Sequence, residues 1–371
     1  MNSTILATGD IAPDRPDPNE CFAETRELLT GADIAFGQLE TTFASSGTRF
    51  SQARHAVLSA PEGADAVGAA GFNVISCAGN HCLDWGPDAL RENLTRLQNA
   101  GVQTVGAGMS ISEARRPAVF VLKDSTRVAF LAYSSILPQD YWAQKNRPGC
   151  APMRAHTIYE QIEHDQPGTP ARIHTFAQRD DLSALEDDIR LAKADCDIVI
   201  VSMHWGIHFV RSVIADYQRE VASAAVKAGA DAILGHHAHI LKGMEFIDGK
   251  PVFHSLCNFA CDLRMDAEHA ARPSFKEIQK LAEKWEPDFD SLYNFPEASR
   301  LSMIAKLDIA DGKIQKTGFL PLFIDRDAVP RVQSPSDSAF HDTIKYMREV
   351  TAEAGLNAQY EIDGDAVQAM G

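Results

Sequence analysis

Short apolar runs alternate with amphipathic stretches along most of the chain. The runs are rich in valine, isoleucine, leucine and alanine, and the stretches between them are about a dozen residues long. This alternation is typical of βα units that build a largely buried sheet. It predicts strands near Ser3–Thr8, Ile34–Gln38, Val74–Cys77, Ala118–Leu122, Val128–Tyr133, Ile198–Ser202, Ala232–Leu234 and Val252–Ser255.

The amphipathic stretches predict the helices that connect these strands. Towards the end of the chain, Leu301–Ile309 and Lys313–Phe323 flank an Asp-Gly pair, the pattern of a β-hairpin. A helix over Ser338–Ala354 and then a polar tail are expected to follow. The earlier helices are predicted at Glu20–Thr30, Ala60–Ala70, Pro87–Ala100, Leu182–Ala194 and Tyr217–Ala228.

Two long segments, Gln139–Asp181 and Asp262–Ser299, show no clear periodicity. Segments of this length inside a compact domain are usually functional, and lids over a site are the common case. We therefore interpret both as insertions, at about 139–181 and 262–299, in an α/β domain over residues 1–329. Residues 330–371 are predicted to form a C-terminal helical extension.

Composition and charge narrow the class of protein. The 371 residues are 45% hydrophobic and 23% charged, which is typical of a globular protein. A net charge of −16 repels nucleic-acid phosphates and anionic lipids, so neither is expected as a partner. The first nine residues carry no basic leader, and the seven cysteines form no CxxC pair, so a reducing cytoplasm is the expected location.

Polar residues follow the first three predicted strands, at the edge where an open α/β sheet places its ligands. Asp10 follows the first strand, where a helix-capping or turn aspartate is the alternative, and Glu40 follows the second, where a surface salt bridge is the alternative. Asn80, His81 and Asp84 crowd after the third strand. An asparagine carbonyl can bind a hard cation, a histidine can donate a proton, and an aspartate can orient that imidazole.

Histidines follow two later strands. His204 and His208 come after one apolar run, and His236, His237 and His239 come after the next. Neutral imidazole is the commonest side-chain metal ligand, although a fortuitous cluster is the alternative. Strand alternation would point His237 and His239 one way and His236 the other. Oxygen ligands mixed with imidazole suit manganese, zinc or ferrous iron.

These residues lie in six ordered motifs, which are Gly9-Asp10, Gln38-Leu39-Glu40, Ala78-Gly79-Asn80-His81 with Asp84-Trp85-Gly86, Met203-His204-Trp205-Gly206, Gly229-Ala230-Asp231 with Gly235-His236-His237-Ala238-His239, and His254-Ser255-Leu256-Cys257-Asn258-Phe259. In order and spacing they resemble the CapA family, named for bacterial capsule and poly-γ-glutamate synthesis. That family belongs to the calcineurin-like metallophosphoesterase superfamily. Six ordered motifs are far more specific than any one of them.

The resemblance implies an α/β fold, a four-layer α/β/β/α metallo-dependent phosphatase-like sandwich with inserted loops. It also implies a centre of one or two divalent ions (Mn, Zn or Fe), since Ala12 stands where most superfamily members have a histidine. His81 would be the general acid or the group that stabilises the developing anion, oriented by Asp84. Trp205, His208 and Asn258 are the candidate substrate contacts. The implied metal ligands are Asp10, Glu40, Asn80, His204 and two of His236, His237 and His239.

The function predicted from these residues is that of a metal-dependent hydrolase. Metal-activated water would attack an amide, lactone, ester or phosphoester of a small or peptide-like substrate. A metal-assisted epimerase, which abstracts a proton next to a carbonyl, is one alternative. Another is a non-catalytic accessory protein of capsule or poly-γ-glutamate synthesis that binds acidic chains or a partner enzyme. The net charge of −16 counts against an acidic polymer unless Arg54, Arg147, Arg154 and Arg211 gather near the cleft. Assembly into a homo-oligomer is left open.

Overall fold

The computed structural model describes residues 2–53, 56–166, 168–282 and 285–371, so Arg54 lies outside the described residues. It is a mixed α/β fold with two large sheets. The strands are β1 (Ser3–Ala12), β2 (Ile34–Leu39), β3 (Thr42–Phe43), β4 (Leu58–Ser59), β5 (Val74–Ser76), β6 (Gln103–Val105), β7 (Ala107–Gly108), β8 (Ala118–Val121), β9 (Arg127–Ser134), β10 (Gly149–Cys150), β11 (Ala155–Glu160), β12 (Arg172–Ala177), β13 (Ile198–His204), β14 (Ala232–His236), β15 (Met244–Ile247), β16 (Lys250–Phe253), β17 (Asn258–Cys261), β18 (Leu301–Ala310), β19 (Lys313–Ile324), β20 (Pro330–Val332), β21 (Gln359–Asp363) and β22 (Ala366–Met370). The α-helices are α1 (Arg26–Gly31), α2 (Glu62–Ala69), α3 (Gly86–Asn99), α4 (Ile111–Ala114), α5 (Arg179–Asp195), α6 (Asp216–Ala228), α7 (Ala267–Ala271), α8 (Pro273–Gln279) and α9 (Ser338–Glu353), with 3-10 helices at Pro18–Phe22 and Glu297–Arg300.

The larger sheet has ten strands within the described residues, in the order β21-β22-β19-β18-β1-β2-β5-β6 with β17 beside β1 and β20 beside β19. Strands β1, β2, β5 and β6 run parallel, so their carboxyl ends meet at one edge. Asp10 on β1 pairs in register with Gln38 on β2 and with Asn258 on β17. The end of β1 therefore lies between two other polar strand ends.

The smaller sheet has six strands in the described part of the chain, in the order β15-β16-β14-β13-β9-β8. Strands β9, β13, β14 and β16 are parallel, and their carboxyl ends again share an edge. His204, the last residue of β13, pairs in register with His236, the last residue of β14. Two histidines therefore stand side by side where these strands end.

Strand alternation divides the smaller sheet between two cores. Val128, Phe130 and Ala132 of β9 belong to a core shared with the ten-stranded sheet, in which Phe130 stacks on Phe36 at 5.6 Å between ring centroids. The alternate residues of β9, with those of β13, pack against helices α5 and α6. The inner face of the smaller sheet therefore lies against the larger sheet, which sets the two polar edges near each other.

Each predicted strand and helix has a counterpart, with three differences. Glu20–Thr30 is interrupted between the first 3-10 helix and α1. The predicted polar tail is wrong, because strands β21 and β22 form a hairpin that pairs with β19. Val367 and Tyr360 are buried there, so a few alternate apolar residues suffice for strands. Gln139–Asp181 is more regular than the predicted loop, since it contains the hairpin of β11 and β12.

The second insertion, Asp262–Ser299, carries α7 and α8 and builds a small core of its own. Phe275 and Trp285 from this segment pack with Phe209, which lies in the loop after β13. All seven cysteines are buried and none is in a disulfide within the described chain. Among the helices of the described ranges, none is both long enough and apolar enough for a membrane span.

Candidate metal centre

Three buried residues from three strand ends form the centre of the site. Asp10 lies near the end of β1, Glu40 directly follows β2, and His204 ends β13. One ligand atom from each lies within 4.8 Å of the others. Glu40 Oε1 and His204 Nδ1 are 3.1 Å apart. Two carboxylates and an imidazole in a buried position are a donor set that divalent transition metals bind.

Two glycines allow the backbone to bring these strand ends together. A Cβ atom on Gly9 would overlap the carbonyl oxygen of Cys257, where β1 approaches the segment that leads into β17. A Cβ atom on Gly235 would overlap the carbonyl oxygen of His254 beside β14. Both positions immediately precede a predicted ligand, so the close packing positions Asp10 and His236 directly.

The three clustered histidines all reach the site. Strand β14 ends at His236, and His237 and His239 adopt positive φ angles of 87° and 53°. Nδ1 of His236 lies 3.2 Å from Asp10 Oδ1, and Nδ1 of His239 lies 3.3 Å from Asp10 Oδ2. The expectation that His236 points away is therefore wrong, because strand alternation no longer applies beyond the last residue of β14.

Hydrogen bonds fix which ring nitrogens remain available. His204 donates from Nε2 to Asn80 Oδ1 at 2.8 Å, which leaves Nδ1 facing Glu40. His239 donates from Nδ1 to Asn258 Oδ1 at 2.7 Å. In a neutral imidazole the nitrogen opposite the donor carries a lone pair and can bind a metal. Asn80 thus directs Nδ1 of His204 towards Glu40, whereas in His239 the same nitrogen, Nδ1, faces both Asn258 and Asp10.

Several buried polar atoms at the site have no hydrogen-bond partner in the described residues. An unpaired buried polar atom costs about 1–3 kcal/mol. A divalent ion would satisfy several of them at once, so the residues present fit a metal. These atoms are Asp10 Oδ1, Glu40 Oε1, His204 Nδ1, His237 Nδ1 and both ring nitrogens of His236.

Burial shifts the protonation equilibria of these groups. It raises the pKa of Glu40 well above its usual value, and the nearby charge of Asp10 acts in the same direction. Burial likewise lowers the pKa values of His204 and His237 well below the usual imidazole value. Burial alone would raise the pKa of Asp10, but the adjacent imidazoles of His236 and His239 outweigh it and hold the pKa low. These pKa shifts favour neutral imidazoles at His204 and His237 and an ionised carboxylate at Asp10.

His81, the predicted general acid, stands at the open side of this group. Its Nδ1 donates to Asp84 Oδ2 at 2.6 Å, and its Nε2 lies 3.7 Å from Glu40 Oε2. The hydroxyl of Tyr141, which is fully buried, donates to Asp84 Oδ1 at 2.8 Å. The imidazole is 23% exposed, so a bound molecule can reach it while Asp84 fixes its tautomer.

Tyr141 is a supporting residue that the sequence motifs do not identify. It lies 57 residues after Asp84 in the first insertion, so no local spacing links the two. Tyr293, from the second insertion, was missed for the same reason, and its hydroxyl accepts a hydrogen bond from Asn258 Nδ2 at 2.8 Å. Each insertion thus contributes one buried tyrosine that supports a site residue.

The predicted substrate contacts lie at different depths. His208 is close to the cluster, with its ring centroid 3.8 Å from that of His237. Asn258 is buried beside His239. Trp205 is fully buried behind the site and donates from Nε1 to the carbonyl oxygen of His254 at 3.1 Å. Their contact with a substrate stays a prediction.

Two of the three described arginines considered for an acidic polymer lie together, since the guanidinium groups of Arg147 and Arg154 are 5.9 and 5.1 Å from the centroid of the Trp142 ring. Arg154 pairs with Asp181 at 2.7 Å, and Arg211 pairs with Glu349 at 2.5 Å. Arg147 lines a cavity of about 450 Å³ together with Leu83, which neighbours Asp84 in the sequence. Of the described arginines in that prediction, only Arg147 lines this cavity.

The fold and the site define a mixed α/β protein with a buried group of carboxylates and imidazoles that fits a divalent metal ion. Residues 4–263 match the family model described as bacterial capsule synthesis protein PGA_cap. The chain therefore belongs to this family, as the resemblance of its motifs predicted.

Named relatives agree with this assignment. The chain is 29% identical to the PGA biosynthesis protein CapA of Bacillus subtilis (strain 168) over 191 residues, which are 52% of this chain and 43% of that protein. It is 26% identical to a probable polyglutamine synthesis accessory protein of Mycobacterium tuberculosis over 319 residues, 85% of this chain and 72% of the relative. The match thus spans less than half the length of the Bacillus protein.

Among solved structures, the chain is similar to GAP50, the anchor in the inner membrane complex of Plasmodium. The sequence identity is 8% and the TM-score is 0.32, with 95% of each chain covered.

Proposed function

We propose that this chain is a metal-dependent hydrolase that cleaves an amide, lactone, ester or phosphoester bond. The observation that carries the proposal is the buried group of Asp10, Glu40 and His204, whose inward-facing atoms lack hydrogen-bond partners in the described residues. One or two ions of manganese, zinc or iron would be held there. The proposal includes the four-layer α/β/β/α arrangement, which the core shared by the two sheets supports.

The residues of the chain have separate roles in this reaction. Bound metal would supply an activated water and polarise the bond to be cleaved. Asp10, Glu40 and His204 would hold the metal, with Asn80 keeping the lone pair of His204 Nδ1 inward. His81 would donate a proton from Nε2 to the leaving group, because Asp84 already occupies its Nδ1.

The substrate is proposed to be a small or peptide-like molecule, with a cytoplasmic setting and neither nucleic acid nor a membrane as partner. The cavity beside Leu83 is about 450 Å³, within the range of ordinary small-molecule sites. It lies next to the segment that carries Asp84, so a substrate seated there could extend towards His81.

The test removes and restores the metal. The purified chain is stripped with a chelator, reloaded separately with Mn²⁺, Zn²⁺ or Fe²⁺, and assayed against ester, lactone, amide and phosphoester panels. We expect turnover only after reloading, and a loss of about 10²–10⁴-fold in H81Q, the range for a general acid. The control is H174A, which removes a histidine that is 41% exposed on β12. Metal-independent turnover, or full activity in H81Q, would overturn the proposal.

A second candidate is an accessory role in capsule or poly-γ-glutamate synthesis without catalysis. The names of the relatives support it, since the mycobacterial relative is described as an accessory protein. Tight metal binding without turnover in any panel would favour this role. Deuterium uptake from solvent at a substrate carbon without bond cleavage would instead indicate the epimerase alternative.

A further inference from the structure

The first insertion carries a β-hairpin with one uncovered edge. Within the described residues, strands β11 and β12 form a two-stranded sheet that joins neither large sheet. On the β12 side, the backbone N–H groups of Thr175 and Ala177 donate to Asp216 Oδ2 and Glu220 Oε2 of α6, at 3.1 and 2.7 Å. Side chains of α6 thus occupy the outer edge of β12, and the outer edge of β11 is left as the exposed one.

The outer edge of β11 presents backbone groups that are ready to pair. Opposite residues in an antiparallel pair alternate between those that bond each other and those whose N–H and C=O point away. Thr157 lies opposite Thr175, whose N–H points outward to α6, so the backbone groups of Thr157 also point outward. The same holds two residues later for Tyr159. Neither N–H group donates to a side chain or to a loop carbonyl in the described part of the chain.

The side chains along this edge are largely apolar and open to solvent. Ile158 is 52% exposed and Tyr159 is 72% exposed. Edge strands are usually protected by lysine, proline or a bulge, but β11 contains neither residue and pairs with β12 without a register shift. A two-stranded hairpin is also only marginally stable by itself. The edge of β11 is therefore a surface for pairing with a further strand.

The sequence of β11 is complementary to itself. In an antiparallel pair of two copies with the twofold axis at Ile158, this residue faces its own counterpart and Thr157 faces Tyr159. His156 then lies opposite Glu160 of the second copy, an imidazole opposite a carboxylate. Cross-strand pairs of this kind stabilise a sheet. The strand that fits this edge is therefore a second β11.

Charge does not oppose this pairing locally. Two chains of net charge −16 repel each other at long range. Strands β11 and β12, however, carry one carboxylate, Glu160, and one guanidinium, Arg172, which pair at 3.1 Å. The hairpin is thus close to neutral, and contact through it adds no local repulsion.

We propose that β11 pairs with β11 of a second copy of this chain, which joins the two hairpins into a four-stranded sheet in the order β12-β11-β11-β12. Backbone bonds of Thr157 and Tyr159 would give affinity, and the side chains of Ile158 would meet at the axis. This interface does not depend on the proposed hydrolase activity. Because the contact area is small, the dimer is expected to dissociate in the micromolar range.

Sedimentation equilibrium of the full chain measures the dimer. We expect wild-type dimers at micromolar concentrations. I158K places two ammonium groups opposite each other and should weaken the dimer at least about tenfold. The control V121K adds the same charge at a valine that is 62% exposed on the edge strand β8, and it should dimerise like the wild type. A monomeric wild type would leave this edge to a different partner and overturn the proposal, as would an I158K protein that dimerises as tightly as V121K.

Introduced cysteines test the register of the pair. Opposite residues whose backbone groups point away from each other have Cα atoms about 4.5 Å apart, which is within the range of a disulfide. Since all seven native cysteines are buried, oxidised glutathione should link I158C into a covalent dimer. Y159C should stay monomeric, because its two copies are offset by two residues. Linkage of Y159C instead of I158C, or of neither, would overturn the twofold axis at Ile158.

Discussion

The two sheets supply different chemistry to the same site. The ten-stranded sheet contributes carboxylates, Asp10 from β1 and Glu40 after β2. The six-stranded sheet contributes imidazoles, with His204 ending β13 and His236 ending β14. The edge of the ten-stranded sheet also carries His81, but neither edge alone holds the Asp10–Glu40–His204 group, so the candidate site exists only where the two sheets pack. Its integrity therefore depends on the core between the sheets as much as on the ligands.

Burial shifts the pKa values of side chains at both edges, because it favours the neutral form of each group. The pKa of Glu40 is raised on one side, and the pKa values of His204 and His237 are lowered on the other. Asp10 is the exception, because the imidazoles around it hold its pKa low. Asp10 therefore carries most of the negative charge at the edge of the larger sheet. It interacts electrostatically with His236 and His239 at the edge of the smaller sheet.

The largest effect is expected from D10N. This change removes the negative charge of Asp10, which lies on the larger sheet and contacts His236 and His239 after the smaller one. Asp10 contacts His236 and His239 through its two oxygens and accepts the backbone N–H of His237 at 3.3 Å. We expect loss of metal binding and at least about 10³-fold loss of turnover, because several kcal/mol of charge stabilisation disappear. Elemental analysis and the panel assay measure both.

D363N is the matched control, since Asp363 is an exposed carboxylate paired with Lys316 at the far hairpin. It should bind metal like the wild type. A D10N protein that retains wild-type metal content would show that the carboxylate edge is dispensable.

A second change tests the packing between the sheets. Phe130 of the smaller sheet stacks on Phe36 of the larger one, and both are buried. F130A should lower the free energy of unfolding by about 3–5 kcal/mol, the usual cost of removing a buried phenylalanine. Chemical denaturation measures this. The control F289A removes an exposed ring and should change stability by less than about 0.5 kcal/mol. A loss below about 1 kcal/mol in F130A would contradict a shared core.

The periodicity of the sequence was enough to predict eight of the strands, the β18–β19 hairpin and the edge at which the polar residues lie, but not shorter strands such as β6 and β17. It could not predict how far each strand extends, and β13 runs two residues past its predicted end to include His204. Nor could it predict the orientations of His237 and His239, which have positive φ angles after the end of β14. Tyr141 was beyond sequence reasoning because its bond to Asp84 is a tertiary contact.

The third change tests whether the first insertion supports the orientation of His81. Y141F removes the hydroxyl that donates to Asp84, while the ring stays in its buried place. Asp84 then holds His81 less firmly, so we expect kcat to fall about 10–100-fold with KM nearly unchanged. Steady-state kinetics of the reloaded protein check this split. Y159F, on an exposed ring of β11, is the control. A Y141F protein with unchanged kcat would remove the insertion from the mechanism.

The smallest expected effect is on the free energy of unfolding at acidic pH, through the buried imidazole of His208. Burial lowers the pKa of His208 from 6.5 to about 3 in the folded chain. Between these values the unfolded chain binds a proton that the folded chain does not, so stability falls as the pH decreases from 6.5 towards 3. The contribution of one such histidine is at most about 1.4 kcal/mol per pH unit.

H208F lacks this group, so its stability should decline less steeply with acid than that of the wild type. Urea denaturation of both chelator-stripped proteins at pH 7.5, 6 and 5 gives the two slopes. H174A should keep the wild-type slope, since it removes a histidine on the exposed hairpin instead. If the free energies of unfolding of the wild type and H208F fall with pH at the same slope, the His208 imidazole has the same pKa in the folded and unfolded chains. That result would contradict a pKa lowered by burial.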